Sequence, residues 1–111
     1  MKEELFHSSV VERIVHSEEI VRGKLMKFKA TVLLNDGTQL RVSEIFINNA
    51  LVKYSYYWLT SENSLIRGWD NAPHHKEVAT FPHHSHSLSK VEETNVRSLK
   101  QVLHYIESLL Q

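Results

Sequence analysis

The pair Asp36-Gly37 constrains the fold of this 111-residue chain more than any other feature. Before it, Met26, Phe28, Ala30, Val32 and Leu34 alternate with Lys27, Lys29, Thr31 and Leu33. A period of two is the mark of a strand with one face on a core. After it, Gln39 to Ile47 is rich in Val, Ile and Phe and reads as the returning strand. Asp-Gly between two such runs predicts a hairpin closed by a type I′ turn, whose central residues both need φ > 0.

The pattern continues along the chain. Asn48-Asn49 is the next turn candidate, and Leu51 to Thr60 reads as a third strand. Alternation there puts Tyr54, Tyr56 and Trp58 on one face and Lys53, Ser55 and Tyr57 on the other. Ser61-Glu62-Asn63-Ser64 reads as a turn, followed by a short fourth strand from Leu65 to Trp69. These connections are too tight for crossover helices, so the sheet is expected to be an antiparallel meander rather than a doubly wound fold.

The ends read as helical. Val96, Leu99, Leu103, Ile106 and Leu110 step by three and four, which predicts an amphipathic helix. Ser89-Lys90-Val91-Glu92 has the spacing of a capping box at its start, with Thr94 as the alternative N-cap. Val10, Val11, Ile14 and Val15 fit one helical face, yet Val10 to Val21 is β-branched enough for a long strand. The reading taken is a short helix near Lys2 to Ser8 followed by a strand. The expected fold is α+β, one domain over residues 1–111. It has a four- to five-stranded antiparallel meander, a C-terminal helix packed on one face and a short N-terminal helix.

Charge and composition exclude several function classes. Thirteen Lys and Arg balance thirteen Asp and Glu, so composition does not announce a strongly basic nucleic-acid binder. There is no cysteine, hence no disulfide and no thiolate metal site. No apolar run approaches the ~20 residues of a membrane span. No apolar signal-peptide centre follows Met1. A cytoplasmic protein without a membrane partner is expected.

The chemistry-bearing stretch is RGWDNAPHHKEVATFPHHSHS, from Arg67 to Ser87, with both prolines and five of the eight histidines. Pro73 and Pro82 push Ala72 and Phe81 towards extended conformations. The segment from Asp70 to Ser87 is therefore expected to be an ordered, largely extended connection, and alternation would put His84 and His86 on the same side. Long ordered loops are disproportionately functional. Three uses compete. His83, His84 and His86 with His74 or His75 have spacings compatible with zinc, but no recognised zinc motif is present. Alternatively, two histidines act as base and acid in metal-free cleavage of an RNA phosphodiester, with Arg67 on the phosphate. Tyr54 or Tyr56 would then donate a hydrogen bond or stack a base. Finally, the loop is a polar connector, with Trp69, Phe81 and the strand aromatics serving as core.

At these residues the chain resembles a known family. Tyr54-Ser55-Tyr56, Arg67, Trp69 to His75 and Thr80 to His86 are similar to the central block of the TumE-family toxins of type II toxin–antitoxin systems. Gly68 separates Arg67 from Trp69 at a position that varies in that family. The resemblance covers roughly Leu25 to Ser87, and the C-terminal helix more weakly. It implies a small cytoplasmic toxin neutralised by a co-encoded antitoxin, commonly a helix-turn-helix DNA-binding protein. Ribonuclease activity follows by analogy with other small toxins.

The resulting expectation is a toxin that cleaves RNA without metal or other cofactor. Catalytic candidates are His74, His75, His83, His84 and His86, with Arg67 on the phosphate and Asp70 orienting a histidine. Tyr54, Tyr56, Trp69 and Asn71 are the substrate-side candidates, although Asn71 also suits the turn. A metal-dependent nuclease or hydrolase on the same histidines is the enzyme alternative. A non-catalytic module that arrests growth by occupying a partner is the other. An exposed edge strand would serve a homodimer or the antitoxin.

Overall fold

The computed structural model describes residues 3–110. A short helix α1 (Glu3–His7) leads into β1 (Val11–Arg22), β2 (Leu25–Leu34), β3 (Gln39–Ile47), β4 (Ala50–Leu59) and β5 (Leu65–Asp70). Two short strands follow, β6 (His84–His86) and β7 (Val91–Glu93), and then helix α2 (Leu99–Leu110). All seven strands form one antiparallel sheet in sequential order. The α+β class, the meander and both helices agree with expectation; Lys2, in the expected first helix, lies outside the described residues.

The sheet has seven strands where four or five were expected. Val11–Arg22 resolves as strand, as its β-branched content favours. The other two additions fall where the sequence suggested a loop and a helix start. Val91 and Glu92 of the expected capping box, together with Glu93, pair with β6 instead. The helix begins later, where Ser98 Oγ accepts the Gln101 N–H at 3.3 Å and acts as the cap. Val96 precedes the helix and packs on the core.

The turn chemistry also differs from expectation. Of Asp36 and Gly37 only Gly37 has positive φ, at 89°, and Gly37 N–H donates to the Leu34 carbonyl. The hairpin therefore closes with a glycine in the left-handed region after an ordinary turn, not as type I′. The adjacent positive-φ pair is Asn48-Asn49, at 52° and 65°. Asparagine tolerates that region better than other residues with a Cβ.

Alternation divides the sheet into two faces. Phe28, Ala30, Val32 and Leu34 of β2, Leu40 and Val42 of β3, Tyr54, Tyr56 and Trp58 of β4 and Trp69 of β5 form one core with Leu99, Val102, Leu103 and Ile106 of α2. Each large apolar side chain removed from water here contributes about 1.5–3 kcal/mol. The opposite face has no helix on it among the described residues and is called the open face below.

Candidate functional site

The site grows from the register of β4, β5 and β6. Ser55 pairs with Asp70, and Asp70 with His84; Tyr57 pairs with Gly68, and Gly68 with His86. Side chains in register point to the same side, so Tyr57, Asp70, His84 and His86 share the open face.

Asp70 is the hub. It is 6% exposed and His84 is 2% exposed. Its Oδ1 lies 2.9 Å from His84 Nε2 and its Oδ2 lies 3.1 Å from His86 Nε2. Two further donors fix the carboxylate: Ala72 N–H to Oδ1 at 2.9 Å and Tyr57 O–H to Oδ2 at 3.0 Å. Burial, then the charge and hydrogen bond of Asp70, push the Tyr57 phenol up to about 12, so it remains a donor. On its far side His84 Nδ1 meets the Pro82 carbonyl at 2.9 Å.

His75 completes the group from the loop before β6. Its ring centroid lies 4.9 Å from that of His84 and 5.7 Å from that of His86, both edge-on. Its Nδ1 meets Glu77 Oε1 at 3.1 Å, which leaves Nε2 free to act. One ring nitrogen from each of His75, His84 and His86 falls within 4.8 Å of the others, so among the described residues these three are placed to hold a metal.

The loop reaches this position by turning, not by running extended. Val78 N–H bonds the His75 carbonyl, Phe81 the Val78 carbonyl and His83 the Thr80 carbonyl. The Phe81–Pro82 peptide is cis. The prolines restrict only their immediate neighbours, and the residues between them are free to turn. Thr80 Oγ1 donates to the His83 carbonyl at 2.7 Å and accepts from Thr94 N–H at 3.0 Å, tying the loop to the end of β7.

The remaining sequence candidates lie elsewhere. His74 is exposed and takes no part in the cluster. His83 Nδ1 meets the Tyr54 hydroxyl at 2.7 Å, with the two rings stacked. Burial, then the charges of Arg97 and His84, hold the His83 imidazole below its usual range. Burial pushes the Tyr54 phenol up to about 12, so its hydroxyl donates to His83. Tyr56 is fully buried beneath α2, stacked on Tyr54 and donating to Glu44 Oε2 at 2.6 Å. Trp69 is buried edge-on against Tyr105. Arg67 shares that helix-side face, with Nη2 2.9 Å from Ser85 Oγ and 3.8 Å from Glu92 Oε2. Asn71 prolongs the ladder, accepting from Tyr54 N–H at 3.0 Å and donating to the Val52 carbonyl at 3.1 Å.

Beside Asp70 opens a cavity of about 240 Å³, lined by Ser43, Ile45, Lys53, Tyr54, Ser55, Tyr57, Asp70 and Ala72. Through Ser43, Ser55 and Tyr57 it adjoins a cleft of about 460 Å³ that includes His16, Lys29 and Arg41. A larger hollow of about 560 Å³ lies between α1 and α2, lined by His7 and His104 and away from the Asp70 cluster.

Tyr57 was missed as a site residue, although its place opposite Tyr54 and Tyr56 was legible. What carries the signal is its pairing with Gly68. A Cβ at residue 68 would run into Cδ1 and Cε1 of the Tyr57 ring. The absent side chain lets the phenol lie across the strand and reach Asp70.

A family model described as Toxin TumE matches residues 2–110, nearly the whole chain. No curated protein and no solved structure matches it. No helix among the described residues is long and apolar enough to cross a membrane.

Proposed function

This chain belongs to the TumE toxin family, and from that membership and the site geometry we propose a growth-arresting endoribonuclease of a type II toxin–antitoxin system. The observation that carries the reading is the Asp70 carboxylate, which holds His84 and His86 together on the open face with His75 alongside. His86 donates one nitrogen to Asp70 and His75 one to Glu77. Each keeps its second nitrogen for a substrate, so the pair serves as base for the ribose 2′-hydroxyl and acid for the leaving oxygen. Metal-free transesterification needs no further group beyond a cation for the phosphate. Lys53 takes that part, because it lines the same cavity as Asp70. Arg67 lies on the other face of β5 and holds Ser85 instead.

His84 has a different role. Both its nitrogens face oxygens, so it positions Asp70 and does not touch substrate. Arg41 lies in register with Tyr57, Gly68 and His86, three strand spacings away. That is roughly 14 Å at the usual inter-strand distance, so Arg41 and Lys29 would hold RNA beyond the cleaved bond. Tyr54, Tyr56 and Trp69 support the sheet from beneath and Asn71 sets its end.

The partner is a co-encoded antitoxin, taken to be a helix-turn-helix DNA-binding protein, and the setting is cytoplasmic. The twelve-residue β1 is one edge of the sheet, and Val15, Ile20 and Val21 on it are exposed. Such an edge accepts an added strand from the antitoxin or from a second copy in a homodimer.

The purified chain, incubated with RNA with and without EDTA, tests the reading. Cleavage that survives EDTA is expected. Cleavage abolished by EDTA and restored by one metal would replace it with a metal-dependent nuclease. Growth arrest without cleavage of any RNA would replace it with the binding module.

A further inference from the structure

A carbonyl only accepts, so the 2.9 Å contact between Pro82 O and His84 Nδ1 puts a proton on that nitrogen. In the neutral ring, Nε2 then carries a lone pair, and it faces Asp70 Oδ1 at 2.9 Å. His86 Nε2 faces the other oxygen of the same carboxylate at 3.1 Å. Two acceptors at this separation repel unless a positive charge stands between them, and a proton or a metal ion meets that need. A backbone carbonyl on Nδ1–H, leaving Nε2 as the ligand atom, is how proteins commonly fix a metal-binding histidine.

We infer that His75, His84 and His86, with Asp70 beside them, form a binding site for a divalent transition-metal ion of the zinc class. The juxtaposition of three imidazole nitrogens within 4.8 Å supplies the ligands. Imidazole suits zinc, whereas magnesium and calcium need more oxygens than one carboxylate offers. Three neutral imidazoles and one carboxylate give a four-coordinate set, or three ligands and an open position with Asp70 orienting them. Tyr57 O–H and Ala72 N–H hold the carboxylate in place from outside the site. An ion bound here takes the free nitrogen of His75 and the His86 nitrogen that the ribonuclease reading gives to Asp70, so the site stands apart from that reading and its occupation would oppose that activity.

The test is direct titration of the full chain with Zn²⁺ by calorimetry, and with Co²⁺ by visible absorption. Saturable binding of a single ion is expected, with the intense band of four-coordinate cobalt. His75→Ala and His86→Ala abolish it, Tyr57→Phe weakens it about tenfold, and His104→Ala leaves it unchanged. Affinity falls as pH is lowered, because protons compete for the same lone pairs. Absence of saturable binding overturns the inference, as does binding that persists in both histidine variants. RNA cleavage in the same samples keeps the two proposals apart. Inhibition by Zn²⁺ supports both. Activation by Zn²⁺ retains the metal site and removes metal-free cleavage. Cleavage by a chain that binds no zinc removes the metal site alone.

Discussion

Arg67 and Asp70 stand three residues apart on β5 and point to opposite faces of the sheet. Arg67 lies with Ser85 and Glu92 on the side of α2, whereas Asp70 joins His84 and His86 on the open side. An odd separation within a strand allows no other arrangement without a bulge. Arg67→Ala should therefore lower stability by about 1 kcal/mol through the lost hydrogen bond, and leave cleavage per folded molecule unchanged. Thermal melting and cleavage assays on the same preparation check this. A variant that melts normally but no longer cleaves would return Arg67 to the chemistry.

His84, His86 and His75 should separate by phenotype. His84 is buried and engaged at both nitrogens. Its replacement by Ala leaves Asp70 buried without one of its partners and should cost about 3–5 kcal/mol. His75 and His86 are only partly buried. Their Ala variants should melt near the parent temperature yet cleave about 10²–10⁴-fold more slowly. Full toxicity in both would remove them from the site.

Gly68→Ala should act through Tyr57. The new methyl meets the ring that lies across residue 68. Forcing the ring away should cost about 1–3 kcal/mol and break the Tyr57–Asp70 hydrogen bond. The double variant Gly68→Ala, Tyr57→Ser relieves the clash without restoring that bond. Stability recovering while toxicity does not is the expected pattern; recovery of both would show that Tyr57 does nothing for Asp70.

Alkaline pH should unfold the protein cooperatively. The Tyr54 phenol is pushed up to about 12, chiefly by burial, and burial with the Glu44 charge pushes Tyr56 higher still. Above the ordinary phenol value of 10.0 the unfolded chain has released protons that the folded chain keeps. Stability is therefore fully present below that value and is lost as pH rises towards 12 and beyond. Phenolate absorbance should rise together with the loss of helical circular dichroism. Phenolate formation in a still-folded chain at these tyrosines would contradict their burial.

Much of the fold was legible because its signal is local. Alternation in β2, β3 and β4, and the three- and four-residue steps of α2, are written in consecutive residues. The strands β6 and β7 are not. His84-Ser85-His86 and Val91-Glu92-Glu93 are too short to show a period, and they become strands only because β5 offers an edge to pair with. The spacing from Ser89 to Glu92 satisfies a local helix rule, and tertiary pairing overrides it. At the site, alternation placed His84 and His86 on one side, and the structure puts both on Asp70. It does not place His75, which arrives through turns. The odd spacing of Arg67 and Asp70 is itself a sequence feature, and within one strand it is enough to keep the two apart.

The strictly sequential strand order has a kinetic meaning. Every ladder joins segments that are already neighbours along the chain, so no pairing waits for a distant segment to diffuse into place. Each hairpin closes a short loop, at small entropic cost, and offers its outer edge to the next. The sheet can thus form as a zipper from one hairpin to the next. The pairing of β5 with β6 spans the longest connection in the sheet and would close last. The histidines and Asp70 would then meet only when the rest of the sheet already exists.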